Sequence, residues 1–243
     1  MEDVQWLTVA DDTRVAVSSV HRFGTDAILL SHFASPRPGE TVYELGTGCG
    51  AIALRLCTRA RPSAVHGVDI APDAIDLARR SAAAFGGTPV PTFAVADWED
   101  PATLGQAGQW RLVVCNPPYF APGSGGVSEG ETTRRIRHEG AHTLTAVCDG
   151  AARLLQYGGR FCLCHRPERL PAVLAALTAA GLTPKRLQTA HNREGQPPWL
   201  LLIEARKGGR PGLKWEPPLV LEEADGRPSA IYRQIYSLPE QEV

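Results

Sequence analysis

The chain has 243 residues, 43% of them apolar, and a formal net charge of −1, enough to bury one large core or a domain with appendages. No apolar run approaches the roughly twenty residues a membrane span requires, and Met1-Glu2-Asp3-Val4 lacks the basic region and apolar core of a signal peptide, so the expected compartment is the cytoplasm. Six cysteines lie in apolar periodic segments without C-x-x-C spacing, which argues against a metal framework and for reduced, buried thiols.

Trp6 to Val9 and Val15 to Ser18 read as a short hairpin around Asp11-Asp12, leading into a helix over Asp26 to Phe33. Ser35-Pro36-Arg37-Pro38-Gly39 is a linker. Strands and helices then alternate: strand 41–45, helix 51–60, strand 64–70, helix 72–85, strand 91–95, a short helix near 101–106 and strand 110–115. Leu144 to Leu155 reads as a helix ended by Gly158-Gly159 before strand 160–165, and Leu170 to Ala180 as another, stopped by Gly181. Strands near 185–190 and 198–205 complete the pattern. Such alternation predicts a parallel, doubly wound α/β sheet with right-handed crossovers. Ala121 to Glu131, with Gly123-Ser124-Gly125-Gly126, reads as a flexible loop, and Trp215 to Val243 as either a wrap over the core or an arm for a partner.

Asn116-Pro117-Pro118-Tyr119 follows the apolar run Leu112-Val113-Val114-Cys115, so it leaves the carboxyl end of a strand buried on both faces. Open α/β sheets place their chemistry at such ends. Two prolines fix φ and remove two N–H donors, leaving carbonyl oxygens and the Asn116 amide beside an aromatic ring. The Asn116 oxygen and the Pro117 carbonyl can accept the two hydrogens of a planar NH2 group while Tyr119 lies on its ring; an ordinary proline turn is the plainer reading. Upstream, Glu44-Leu45-Gly46-Thr47-Gly48-Cys49-Gly50 is a strand-to-helix turn whose glycines let the backbone approach a ligand. Asp69 ends the next strand, where a carboxylate can accept ribose hydroxyls, and Asp97, ahead of Trp98, ends the third. A helix cap or solvated loop acid is the alternative for either acid alone.

These stretches, with Phe23-Gly24-Thr25-Asp26-Ala27-Ile28-Leu29-Leu30, Arg137-His138-Glu139, His165 to Leu170 and Leu202 to Gly209, resemble the class I S-adenosylmethionine-dependent methyltransferases of the Asn-Pro-Pro-Tyr group. More narrowly they resemble the bacterial tRNA1(Val) (adenine-37-N6)-methyltransferases. The resemblance implies a Rossmann-like fold: a seven-stranded, mostly parallel sheet with an antiparallel carboxyl-terminal hairpin and a small amino-terminal hairpin and helix. It implies three regions: 1–38 capping the cofactor pocket, 39–206 as the methyltransferase domain, and 207–243 as a basic-to-polar tail.

The resemblance also implies residue roles. Gly46, Gly48 and Gly50 make room for the methionine part of S-adenosylmethionine, and Glu44 engages its amino group. Asp69 holds the ribose, Ile70 packs on the adenine and Asp97 accepts from the adenine amine. Trp98 stacks beside that ring or is a core aromatic. Thr25 and Asp26 close the pocket, a helix N-cap being the competing reading. Asn116 and Pro117, with Tyr119 stacked on the base, hold the acceptor amine next to the cofactor; Pro118 lies on the substrate side, and Phe120 extends the platform or is core.

The acceptor implied is adenine N6 in a tRNA anticodon loop. Thr132 to Lys214 carries 14 Lys/Arg against 5 Asp/Glu, an asymmetry that fits a polyanionic partner. Arg134, Arg135, Arg137 and His138, with Arg206, Lys207 and Arg210, are the candidate phosphate contacts, solubilising charge being the alternative. The same glycine turn and proline tetrapeptide occur in methyltransferases of release-factor glutamine, which usually carry a sizeable helical domain ahead of the turn; here only residues 1–43 precede Glu44, which favours RNA. Guanine N2 of ribosomal RNA remains a further acceptor. The complete set Glu44, Asp69 and Asp97 argues against an RNA-binding subunit without turnover.

Overall fold

The computed structural model of the chain describes residues 4–118 and 140–238. Alternating apolar residues at the amino end form an antiparallel hairpin, β1 (Gln5–Ala10) and β2 (Thr13–Val17), with Val15, Ala16 and Val17 fully buried. The chain then enters α1 (Thr25–Ala34), whose Ile28, Leu29, Leu30 and Phe33 all pack inward. The alternating core follows: β3 (Thr41–Leu45), α2 (Ala51–Ala60), β4 (Ala64–Asp69), α3 (Pro72–Ala83), β5 (Thr92–Val95), β6 (Trp110–Cys115), α4 (Gly140–Leu154), β7 (Leu155–His165), α5 (Leu170–Ala179), β8 (Leu182–His191) and β9 (Leu200–Lys207).

In space the strands run β8-β9-β7-β6-β3-β4-β5. β7-β6-β3-β4-β5 pair in parallel, and β9 runs antiparallel to both β7 and β8. This is the seven-stranded sheet with an antiparallel hairpin that the sequence predicts. Two short strands, β10 (Lys214–Trp215) and β11 (Leu219–Val220), add parallel pairing along β8, and α6 (Ala230–Tyr236) follows them.

Two local expectations are corrected. Residues 101–106 form turns, not a helix. There the Asp100 carboxylate accepts from Ala102 N and the Thr103 hydroxyl pairs with the Asp97 backbone, so short polar side chains take the groups a helix would use. Nor does Gly158-Gly159 end the helix over 144–155: α4 stops at Leu154 and the glycines lie inside β7. Gly158 has φ +77° where the pairing with β6 slips between Trp110 and Leu112, as in a bulge.

Side-chain alternation assigns each strand residue to one of two cores. Tyr43, Leu45, Val113, Cys115, Phe161 and Leu163 meet α4 and α5 on one face. Val42, Leu112, Val114, Cys162 and Cys164 meet α1 and α2 on the other. On this second face Arg160 joins Glu40 (2.7 Å) and Glu204 (3.0 Å), and Arg186 joins Glu204 (3.1 Å). The same two guanidiniums donate to the last carbonyls of α1, Arg160 to Ala34 O and Arg186 to Phe33 O. They therefore cap the helix and clamp its carboxyl end onto the sheet.

Candidate functional site

Asn116 continues the side-chain alternation of Leu112 and Val114, so its amide emerges on the face covered by α1. Register sets the rest: Val114 lies opposite Cys162 and Cys115 opposite Leu163, which brings Cys164 beside Asn116. The Asn116 Nδ2 donates to Asp26 Oδ2 at 3.1 Å, and Cys164 Sγ donates to Asn116 Oδ1 at 3.1 Å. A carboxylate only accepts, so the amide's orientation is fixed with nitrogen towards α1. Pro117 is buried and Pro118 half-buried. Tyr119, Phe120, Arg134, Arg135, Arg137 and His138 lie outside the described residues, as does the 121–131 loop.

The Asp26 side chain is positioned by its own helix. Gly24 is the N-cap, with no side-chain cap bond, and Asp26 Oδ1 accepts from Ala27 N at 2.9 Å. Neither Thr25 nor Asp26 is therefore the N-cap. A Cβ on Gly24 would lie 2.8 Å from Asp26 Oδ1, so glycine there keeps room for the carboxylate. Thr25 instead lies near Tyr236 of α6 and pulls its phenol down against the burial that raises it.

At the ends of β3 and β4 the glycine turn divides into separate jobs. Gly48, at φ +54°, has nothing within 4 Å of where a Cβ would stand. Gly46, at φ +68°, has Trp98 Cζ3 3.0 Å from that point, so Trp98 lies over the turn. Gly50, at φ +83°, abuts Phe93 and Ala78, so the missing side chain there lets α2 pack closely. Asp69 spans the turn: Oδ2 accepts from Gly48 N (2.8 Å) and Oδ1 from Ala71 N (3.0 Å). Ile70 beside it is 52% exposed. Asp97 bends its own loop, accepting from Glu99 N at 2.9 Å. Glu44 is buried, accepting at one oxygen from Thr47 Oγ1 (2.8 Å) and Ala53 N (3.0 Å). Burial pushes its carboxyl up to about 8, against the pull of those two donors.

The structure does not bring Arg206, Lys207 and Arg210 to this end of the sheet. β9 runs backwards, so Arg206 lies opposite Arg160 and Lys207 opposite Leu182, where the parallel strands begin. Arg206 Nε donates to Gly158 O, and Lys207 Nζ donates to Ala152 O and Leu155 O, closing the end of α4. The Arg210 carbonyl accepts from Lys185 Nζ. Arg206 and Lys207 thus hold the junction of α4 and β7, and the Arg210 side chain is exposed.

Several residues at the site escape sequence reasoning. Cys164 is one, because nothing in an apolar periodic segment names its partner. His165 is buried beside it, accepts from Arg166 N, and is held down to about 4 by burial and by Arg169 and Arg166. A cleft of about 530 Å³ opens next to Asp26, walled by Arg166, Trp199 and the 221–232 segment. Among the described residues no group of His, Cys, Asp and Glu could hold a metal ion, and no helix is long and apolar enough to cross a membrane.

Residues 13–169 match the family described as methyltransferase small domain. The chain is 30% identical over 208 residues to a tRNA1(Val) (adenine(37)-N6)-methyltransferase of Tolumonas auensis, covering 85% of this chain and 84% of the relative. In structure it is similar to a predicted O-methyltransferase of Agrobacterium tumefaciens (TM-score 0.70, 20% identity, 87% and 95% of the two chains). It is also similar to TrmN from Thermus thermophilus (TM-score 0.53, 25% identity, 74% and 48%).

Proposed function

The chain belongs to the methyltransferase small-domain family, and on that premise we propose that it methylates the exocyclic N6 amine of an adenine in tRNA, at anticodon-loop position 37. The observation that carries this reading is the Asn116 amide, fixed between Asp26 and Cys164 at a strand end flanked by a proline.

S-adenosylmethionine is the cofactor of this enzyme family and supplies, when bound, an electrophilic methyl group. The chain's residues fit it. Gly48 leaves open space where any other residue would place a side chain, Asp69 offers a carboxylate beside it, and exposed Ile70 offers an apolar surface for a ring. Each Asp69 oxygen has two lone pairs and can serve a hydroxyl in addition to the backbone N–H it already accepts. Trp98 and Asp97 border the same strand ends.

The acceptor amine has its lone pair delocalised into the purine ring and is a weak nucleophile. The Asn116 oxygen can accept one of its hydrogens while accepting from Cys164, and the Pro117 carbonyl can accept the other. Two acceptors placed this way favour pyramidal geometry and return the lone pair to nitrogen. This is positioning with electrostatic preorganisation. Asn116 is neutral and takes no proton; the methylated nitrogen, cationic and acidic, loses its proton to water. Tyr119, next in sequence after Pro118, is assigned the base face, a contact worth about 1–3 kcal/mol. A base held this way must leave its stack, which is easiest in an RNA loop.

The test is mass spectrometry of nucleosides from tRNA1(Val) incubated with protein and cofactor. N6-methyladenosine at position 37 is expected; its absence together with methylation of a release-factor glutamine would overturn the reading.

A further inference from the structure

The cleft beside Asp26 lies on the other side of Asn116 from the glycine turn. Gly48 and Asp69 follow β3 and β4, whereas Arg166 follows β7, Asn192 follows β8 and Trp199 leads into β9. With β6 between these two groups in the sheet order, the cleft belongs to the acceptor side. Resting on the function proposed above, we propose that it is a nucleotide subsite that receives the unpaired residue next to the methylated adenine in the RNA chain.

Its volume, about 530 Å³, falls within the roughly 300–1,000 Å³ of small-molecule sites. The segments that wall it are held by backbone bonds. Leu221 N and Glu222 N donate to His191 O and Asn192 O, Ser229 N donates to Leu221 O, and the Ser229 side chain caps α6. Tyr232 stacks on Tyr236 with ring centroids 4.3 Å apart, and Tyr236 lies near Thr25. The lining has the composition a nucleobase needs. Asp26 and Glu222 supply acceptors, Asn192 supplies both kinds of group, and Tyr232 supplies an aromatic surface. The Trp199 Nε1 is a buried donor with no hydrogen-bond partner among the described residues, and such a group costs stability until something accepts from it. The Arg166 guanidinium at the rim, whose Nη1 donates to Trp199 O at 3.3 Å, suits the phosphate that joins the two nucleotides.

The experiment uses the full chain and a hairpin RNA with an unpaired adenine, whose neighbouring nucleotides are in turn intact or abasic. Trp199→Phe keeps an aromatic ring and removes the indole N–H; Arg166→Ala removes the cation, and Arg166→Lys restores charge. Each of the first two lowers kcat/KM for RNA about tenfold while the KM for cofactor and the unfolding midpoint hold, and Arg166→Lys recovers part of the loss. One abasic neighbour costs wild type about tenfold and costs Trp199→Phe much less, because the base and the indole N–H act on each other. Full additivity of the two losses, or abasic neighbours that cost wild type nothing, overturns the subsite and leaves the proposed function standing. A wild-type protein that methylates no RNA overturns both.

Discussion

Replacing Asp26 with Ala should lower kcat much more than it lowers cofactor affinity. The carboxylate accepts the Asn116 Nδ2 hydrogen at 3.1 Å, a bond to an ionised acceptor. Such bonds contribute about 1.5–3 kcal/mol, which is about 10- to 150-fold in rate if the amide must be correctly turned in the transition state. The thiol of Cys164, at the same 3.1 Å, is a weak neutral donor, so Cys164→Ala should cost only about two- to fivefold. The order of the two effects is thus set by chemistry, not by distance. Asp26→Asn, which still offers an oxygen, should fall between Asp26→Ala and wild type. The measurements are kcat for methyl transfer under saturating substrate and S-adenosylhomocysteine affinity by calorimetry. Loss of the negative charge in the first turn of α1 costs about 0.3–1 kcal/mol in stability, so the folded protein survives the change. Should S-adenosylhomocysteine affinity fall in step with kcat, Asp26 acts in the cofactor pocket and its positioning role is wrong; unchanged kcat would sink it equally.

Two further expectations separate packing from binding. Gly50→Ala places a methyl 3.0 Å from Phe93 and 3.2 Å from Ala78 at positive φ and should cost about 2–4 kcal/mol in denaturant unfolding, whereas Gly48→Ala meets no neighbour, unfolds closer to wild type and weakens S-adenosylhomocysteine binding about tenfold. Glu44, raised by burial from 4.5 to about 8, keeps a proton in the folded state that the unfolded chain releases, so its contribution to stability declines as pH rises from 4.5 through about 8; Glu44→Gln, which retains an acceptor for Thr47 and Ala53, should match wild type near pH 5 and exceed it at pH 8 in urea titrations.

The sheet was legible in the sequence because its signal is local. Four apolar residues before Asn116 predicted a strand buried on both faces, and Leu112 to Cys115 are all fully buried. The glycine turn was legible as a turn but not as a division of labour: nothing in Gly46-Thr47-Gly48-Cys49-Gly50 says that Gly50 faces Phe93, which lies in β5. Residues 101–106 and the 158–159 glycines misled because helix propensity and glycine punctuation are weak against side-chain capture of the backbone and a strand bulge. Lys207 and Arg206 misled for a topological reason. Charge along the chain carries no strand direction, and the reversal of β9 takes both to the far end of the sheet.

The surroundings of the Asn116 amide come from sequence separations that no local pattern encodes. Asn116 is 90 residues from Asp26 and 48 from Cys164, and only the β6–β7 register with α1 laid across that face makes them neighbours. Position along α1 then couples two surroundings. Thr25 lies near Tyr236 in the tail, and Asp26, one residue on, is hydrogen-bonded to the Asn116 amide. At its other end the helix is held by Arg160 and Arg186, so it has little freedom to move either residue independently of the sheet. A neutral amide contributes to catalysis only through its orientation, since it has no proton to give or take at working pH. On the proposed function the clamp on α1 therefore bears on the chemistry as Asn116 does, and the resemblance that marked Thr25 and Asp26 as pocket residues located the helix without revealing its bond to the amide.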